Sequence, residues 1–312
     1  MTDRMQKPLL YLLAVLCAFL VGDRLLSYAG RMLARPSNMP LAELYSGRGA
    51  GDILILGNSR AVRHFDAQTL SARLGMPVRN YALLGASAEL MEVLLHDYIE
   101  RYGAPRMVVF EISCLGYGPG QEVAQRLYRS DSAGLDELLR AANPALYYVS
   151  RIANLLDLNS DTFLNTLHKV LVPYPSTLLT GELQQDAAER LAAEIPSPYF
   201  TILPANSASL ARISALAKAN NIVLLPVLTP VLPQLQKRLN EIDPFVADAA
   251  SAANRTVADF TNIQLPAASF HDPVHLNGTG AIQIQDAVIS AIESRLPKRS
   301  AFTIMSTDRP AL

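Results

Sequence analysis

The chain predicts an α/β fold: a central parallel β-sheet with helices on both faces, a helical insertion, and a membrane helix at the N-terminus. Three observations predict it. Five short apolar runs of strand length alternate with helix-patterned segments. That rhythm breaks only over residues 115–200, where helical pieces appear with little strand signal. The N-terminus places Arg4 and Lys7 ahead of an uncharged stretch from Pro8 to Gly22.

The N-terminal stretch holds 15 residues before Asp23-Arg24. A bilayer-spanning helix needs ~20 apolar residues, so Leu25, Leu26 and Tyr28 would have to extend it. A cleaved secretory signal competes, but no small-x-small site follows at the right place, and Cys17 lacks the preceding small residue of a lipoprotein signal. The expectation is a signal anchor over residues 1–30, with Arg4 and Lys7 inside and the rest facing outward. Residues 31–50 mix Pro, Gly and Ser with little periodicity and read as a linker.

The domain, residues 51–296, opens with a buried strand at Asp52–Gly57 that enters a turn at Asn58-Ser59. Asp66 is placed to N-cap a helix that Gly75 ends. A second strand fits Val78–Leu83 and is closed by Gly85, after which Ser87 caps a helix carrying Leu90, Val93, Leu94 and Tyr98 on one face. The third strand is Met107–Ile112. Within the insertion, Leu135–Ala142, Leu146–Leu155 and Gln184–Glu194 look helical. The alternation resumes with a helix at Ser207–Ala219 and a strand at Ile222–Leu228, where Pro226 implies a bulge or an edge position. A helix near Pro244–Asn254 leads to the strand Val257–Phe260. The last helix begins near Asn277, with Ile284, Val288, Ala291 and Ile292 facing inward, and residues 297–312 read as a frayed tail.

Composition narrows the chemistry. Formal net charge is -1 and no basic run interleaves with aromatics, which gives a nucleic-acid partner no footing. Cys17 and Cys114 make no disulfide framework, and no CxxC spacing supports a thiolate metal site. No cofactor is expected.

In open parallel sheets, ligands sit beyond the carboxyl ends of the strands. Asn58-Ser59, Gly85 and Ser113 all follow such ends. A serine between strand and helix raises its hydroxyl above the sheet edge and leaves its N–H free for an anion. Taken alone, Gly57-Asn58-Ser59-Arg60 is also an ordinary turn sequence. The second element is Phe270-His271-Asp272-Pro273-Val274-His275-Leu276-Asn277, ahead of an amphipathic helix. Asp272 can orient His275 three residues on, making it a general base toward a serine. Alternatively, Asp272 begins a turn and His275 is a solvated loop residue. His271 and His275 at i, i+4 raise a metal alternative, against which Pro273 argues by forbidding a regular helix between them. Arg60 could bind a substrate carboxylate or phosphate, or pair with Glu111 or Asp66. Glu111 points from a strand end toward the same place, His64 and Asp66 suit the start of the first helix, and Tyr117 could contact a hydroxyl or pack on the insertion.

A serine in G-N-S-R after the first strand, a glycine after the second, and D-x-x-H-L-N near the C-terminus resemble the SGNH (GDSL-like) hydrolase superfamily over residues 50–295, the insertion aside. Within it, the chain looks most like membrane-anchored bacterial proteins associated with O-acylation of cell-envelope polymers. The resemblance implies a flavodoxin-like three-layer sandwich, Ser59 as nucleophile, His275 as base and Asp272 as its orienting group. It also implies oxyanion donors from the backbone N–H of Ser59 and that at or beside Gly85. One departure stands out. The family's third block supplies an asparagine, whereas here Glu111-Ile112-Ser113-Cys114 follows the third strand, leaving Ser113 or a backbone N–H as the substitute.

The expected activity is therefore that of a serine O-acyltransferase or esterase of the envelope, on the periplasmic side of the inner membrane. Its partners would be a polymer or acyl-ester substrate and a membrane-bound O-acyltransferase. Two alternatives stand beside it: a non-catalytic scaffold or acceptor-binding partner of such an enzyme, and a free lipase with the insertion as a lid.

Overall fold

The structure, a computed structural model, describes residues 3–172 and 178–296. The tail expected at 297–312 lies outside them.

Five strands form one parallel sheet: β1 (Ile53–Leu56), β2 (Val78–Asn80), β3 (Met107–Glu111), β4 (Val223–Leu228) and β5 (Ala258–Asp259), in the order β2-β1-β3-β4-β5. Ile53 stands opposite both Val78 and Met107, and Val109 opposite Ile55 and Leu225. Every residue of β1 and β3 is buried, which explains their unbroken apolar runs. The second strand stops earlier than the apolar pattern predicts. Asn80 ends it, because its amide donates to the Ala61 carbonyl (2.8 Å) and its Oδ1 accepts from the Ala82 N–H (3.1 Å).

Pro226 lies in an interior strand, not at an edge or bulge. Val223 donates toward β3, to the Arg106 carbonyl. With a period of two, Pro226 turns its donor-less nitrogen the other way, and β5 begins to pair only at Val227. The missing donor thus falls where the neighbouring strand has not started.

The helices follow from caps and periodicity. α1 (Asp3–Ala34) and α2 (Pro40–Tyr45) precede the sheet. α3 (Ser59–His64) and α4 (Ala67–Leu74) link β1 to β2, with Asp66 accepting from the Gln68 N–H and Gly75 ending α4 in the left-handed conformation. α5 (Ala88–Tyr102) begins on the Ser87 hydroxyl. The insertion holds α6 (Gln121–Ala124), α7 (Ala133–Ala142), α8 (Pro144–Ile152), α9 (Asp161–Leu171) and α10 (Gln185–Glu194), with a single turn at Asn154–Asp157 between α8 and α9. Then come α11 (Pro204–Ala219), α12 (Pro233–Gln236), α13 (Ile242–Ala253) and α14 (Gly278–Arg295). α5, α11 and α13 pack side by side, and α14 packs with α3 and α4. Right-handed crossovers place the two sets on opposite faces of the sheet. Leu54, Leu56, Val108, Phe110 and Leu224, in register on one face of the sheet, are buried in the single core cluster.

α1 runs without a break past Asp23-Arg24, giving a span from Lys7 to Ala34 apolar and long enough to cross a membrane. This single helix supports a single-pass anchor. The Asp23 carboxylate does not end it, because both its oxygens accept backbone N–H groups of the insertion, Asn154 (2.8 Å) and Leu155 (2.9 Å). Residues 31–50 are also ordered more tightly than their composition suggests. α1 continues to Ala34, and α2 buries Leu41, Ala42, Leu44 and Tyr45 in the main core.

Candidate active site

Residue types alone place Ser59 at a turn; the packing around it explains why the turn is so tight. β1 delivers the chain to Gly57, where a side-chain carbon would lie 2.9 Å from the Cβ atoms of both Ala61 and Glu111. With φ at +150° as well, only glycine fits. Asn58 then caps α3 by accepting the Arg60 N–H (3.0 Å), and Ser59 becomes the first helical residue at the carboxyl edge of the sheet.

The histidine arrives from the other end of the chain on a hairpin of β6 (Phe270–Asp272) and β7 (His275–Leu276). His275 Nε2 lies 2.8 Å from Ser59 Oγ, and its Nδ1 lies 2.8 Å from Asp272 Oδ2. The other Asp272 oxygen accepts the N–H groups of Val274 and His275, each at 2.9 Å. Burial pushes the Asp272 carboxyl upward, but the His275 contact and those two N–H groups outweigh it and hold the pKa below its ordinary 3.8. Asp272 is therefore ionised at neutral pH and fixes the Nδ1–H tautomer, leaving Nε2 to accept from the serine hydroxyl. The Ser59–His275 pairing has the form of serine-hydrolase chemistry.

Asn277 caps α14 by accepting the Gly280 N–H (3.0 Å), as its place in the sequence predicts. Its amide donates to the carbonyls of Gly181 (2.8 Å) and Ala268 (2.7 Å). The end of the insertion is laced to the same hairpin: Leu183 donates to Phe270 O, Gly278 donates to Leu179 O, and His271 Nδ1 reaches Thr180 O, each at 2.8 Å. His271 and His275 thus sit on a hairpin, with separate partners, and do not converge.

Gly85 has φ +68° in the turn after β2, a conformation that favours glycine. Among the described residues, neither the Gly85 nor the Ser59 backbone N–H has a hydrogen-bond acceptor. Arg60 is buried, not presented to solvent. Its Nε lies 3.5 Å from Glu111 Oε1, and its guanidinium donates to the Thr229 carbonyl and to Pro230 O (3.2 Å). Ser113 is buried too; its hydroxyl donates to Glu111, and Glu111 accepts the Ser113 N–H (3.2 Å). Arg60, Ser113 and Glu111, the three residues the sequence offers for possible substrate binding, all face this internal network.

Two supporting residues escaped the sequence. His64 does not start a helix; it ends α3, fully buried. Its Nε2 accepts the Leu276 N–H (2.9 Å), so Nδ1 carries the proton and donates to Thr229 Oγ1 (2.8 Å). Burial, then the Arg60 charge, drives its pKa well below 6.5, so this imidazole stays neutral. His64 thereby ties the hairpin that carries His275 to the helix that carries Ser59. Thr229 follows the carboxyl end of β4, as Ser59, Gly85 and Ser113 follow theirs, and that position was its one legible signal. In comparisons with known proteins, no family model matches the chain and no characterised protein shows significant similarity to it.

Proposed function

We propose that this chain is a serine acyl-ester enzyme of the SGNH type. It would act from the outer side of a bacterial inner membrane as an O-acyltransferase or esterase on a cell-surface polysaccharide or similar polymer. The observation that carries this reading is the unbroken relay from Ser59 Oγ through His275 to Asp272, assembled from segments 216 residues apart. The strand order 2-1-3-4-5 is that of flavodoxin-like sheets and agrees with it.

In the proposed mechanism, His275 Nε2 takes the Ser59 proton as Oγ attacks the ester carbonyl. The free N–H groups of Ser59 and Gly85 receive the developing oxyanion. His275 then returns the proton to the departing alcohol, leaving an acyl-Ser59 ester. An acceptor hydroxyl, from polymer or water, reverses these steps with His275 again as base.

A second reading, a non-catalytic partner of a membrane-bound O-acyltransferase, draws on one observation: Ser113 and Glu111 satisfy each other after β3, where the family would offer an asparagine to the oxyanion. Labelling the full-length chain in detergent with a serine-reactive fluorophosphonate separates the two. We expect labelling that is abolished in Ser59→Ala and reduced by several orders of magnitude in rate in His275→Ala. A folded wild-type chain that takes no label supports the non-catalytic reading.

A further inference from the structure

The contacts that hold α1 to the domain also determine which part of the domain stands beside the membrane. The Arg24 guanidinium donates to the carbonyls of Arg151 (2.9 Å) and Ile152 (3.0 Å), at the end of α8. Ser27 Oγ donates to the Asn154 carbonyl (3.2 Å), and Arg31 lies 3.6 Å from Asp157. Residues 151–157 therefore run alongside residues 23–31.

The apolar surface of α1 does not stop where the insertion grips it. Asp23, Ser27 and Ala34 are buried on one side, while Leu25, Leu26, Tyr28 and Leu33 on the other are 61–64% exposed. The insertion repeats the pattern. Tyr148, Val149 and Ile152 share one face of α8 at i, i+1 and i+4, and are 52–64% exposed. Leu155 follows, and Leu164 and Leu171 stand seven residues apart on α9. Outside α1 and the stretch 148–172, Leu84 and Ile282 are the only exposed large apolar residues among those described. Soluble surfaces scatter such residues singly and do not collect them against a membrane helix.

We propose that α8, the turn at Asn154–Asp157 and α9 form a second membrane contact, lying in the headgroup–acyl boundary of the bilayer that α1 crosses. The occupant of this face is lipid. Its continuity with the exposed apolar side of α1, against which residues 151–157 are held, argues for that. It also fits the depth at which α1 must sit. Residues 8–22 cover only about 22 Å against a hydrocarbon core of about 30 Å. Immersing α1 as far as Tyr28 or Leu33, with the insertion at the same depth, supplies the rest.

The chain contains no tryptophan, so a single introduced indole reports without background. Full-length Val149→Trp, Ile152→Trp and Leu164→Trp variants would be placed in phosphatidylcholine–phosphatidylglycerol nanodiscs, with Ile282→Trp as an exposed apolar position outside the insertion. The three insertion variants are expected to emit at shorter wavelength than Ile282→Trp. They should lose most of their intensity to lipids brominated near the headgroup end of the acyl chain, and less to lipids brominated near the methyl end. Water-like emission without quenching at all three overturns the proposal and leaves the face to a protein partner. Equal quenching at Ile282 overturns it as well, since contact would then not be specific to the insertion. Fluorophosphonate labelling of the same samples reports separately on Ser59.

Discussion

At the residue scale, two side chains with opposite protonation demands hold one histidine. Asp272 is kept ionised by three donors, and its Asn variant would retain the two backbone N–H contacts while offering no anion to imidazolium. Asp272→Asn is therefore expected to lower turnover about 10³–10⁴-fold with little loss of stability, as judged by ester hydrolysis and thermal unfolding of the same preparation. The carboxylate's own contribution to stability, from a lowered pKa, persists above pH 3.8 and disappears as pH falls through the native value. His64 works in the other sense of burial. The unfolded chain takes up its proton near 6.5 while the native state declines it, so stability falls as pH drops below 6.5 toward the depressed native value. His64→Gln keeps an acceptor for Leu276 and a donor for Thr229 but cannot titrate. Melting temperatures measured from pH 8 to pH 5 should fall less steeply in this variant than in wild type; equal slopes would show that His64 is not the group responsible.

At the element scale, the β1–α3 turn depends on one absent side chain. Gly57→Ala would press a methyl against Ala61 and Glu111, whose own carboxylate is engaged by Arg60 and Ser113. We expect a loss of about 1–3 kcal/mol in denaturant unfolding, with Ser59 labelling reduced more than the stability change explains. The sheet was legible in the sequence for a simple reason: β1 and β3 are buried on both sides, so they appear as the unbroken apolar runs ILIL and MVVF. α3 was not legible, because six residues are too few to show helical periodicity. The true ends of α1 were hidden for a different reason. Asp23 and Arg24 look like the end of an apolar segment until one sees that backbone groups of residues 151–155, far along the chain, satisfy both. His64 was misassigned on the same grounds, since its partners at 229 and 276 are remote in sequence.

At the scale of the whole molecule, anchor and domain share one packed junction. Asp23 acts as a helix cap in trans, accepting from Asn154 and Leu155. Asp23→Ala should lower the free energy for opening that turn by about 1–2 kcal/mol, seen as faster amide exchange at Asn154 and Leu155 in the detergent-solubilised chain, with β1 and β3 unaffected. The candidate pair was legible as two motifs, but not the distance between them, because motifs carry residue types and only packing brings Ser59 to His275.

The lacing of residues 179–183 onto the β6–β7 hairpin has a bearing on how this protein can be reduced or rebuilt. The sequence invites removal of residues 115–200 as a detachable module, to leave a minimal sheet with its serine and histidine. Such an excision would cut four hydrogen bonds that seat the hairpin, those of Leu183, Thr180, Gly181 and Leu179. The histidine would be left on a loop with one flank unsupported. A trimmed domain would have to keep the strand-like arm from Leu178 onward, so the boundary between ornament and machinery falls inside the insertion.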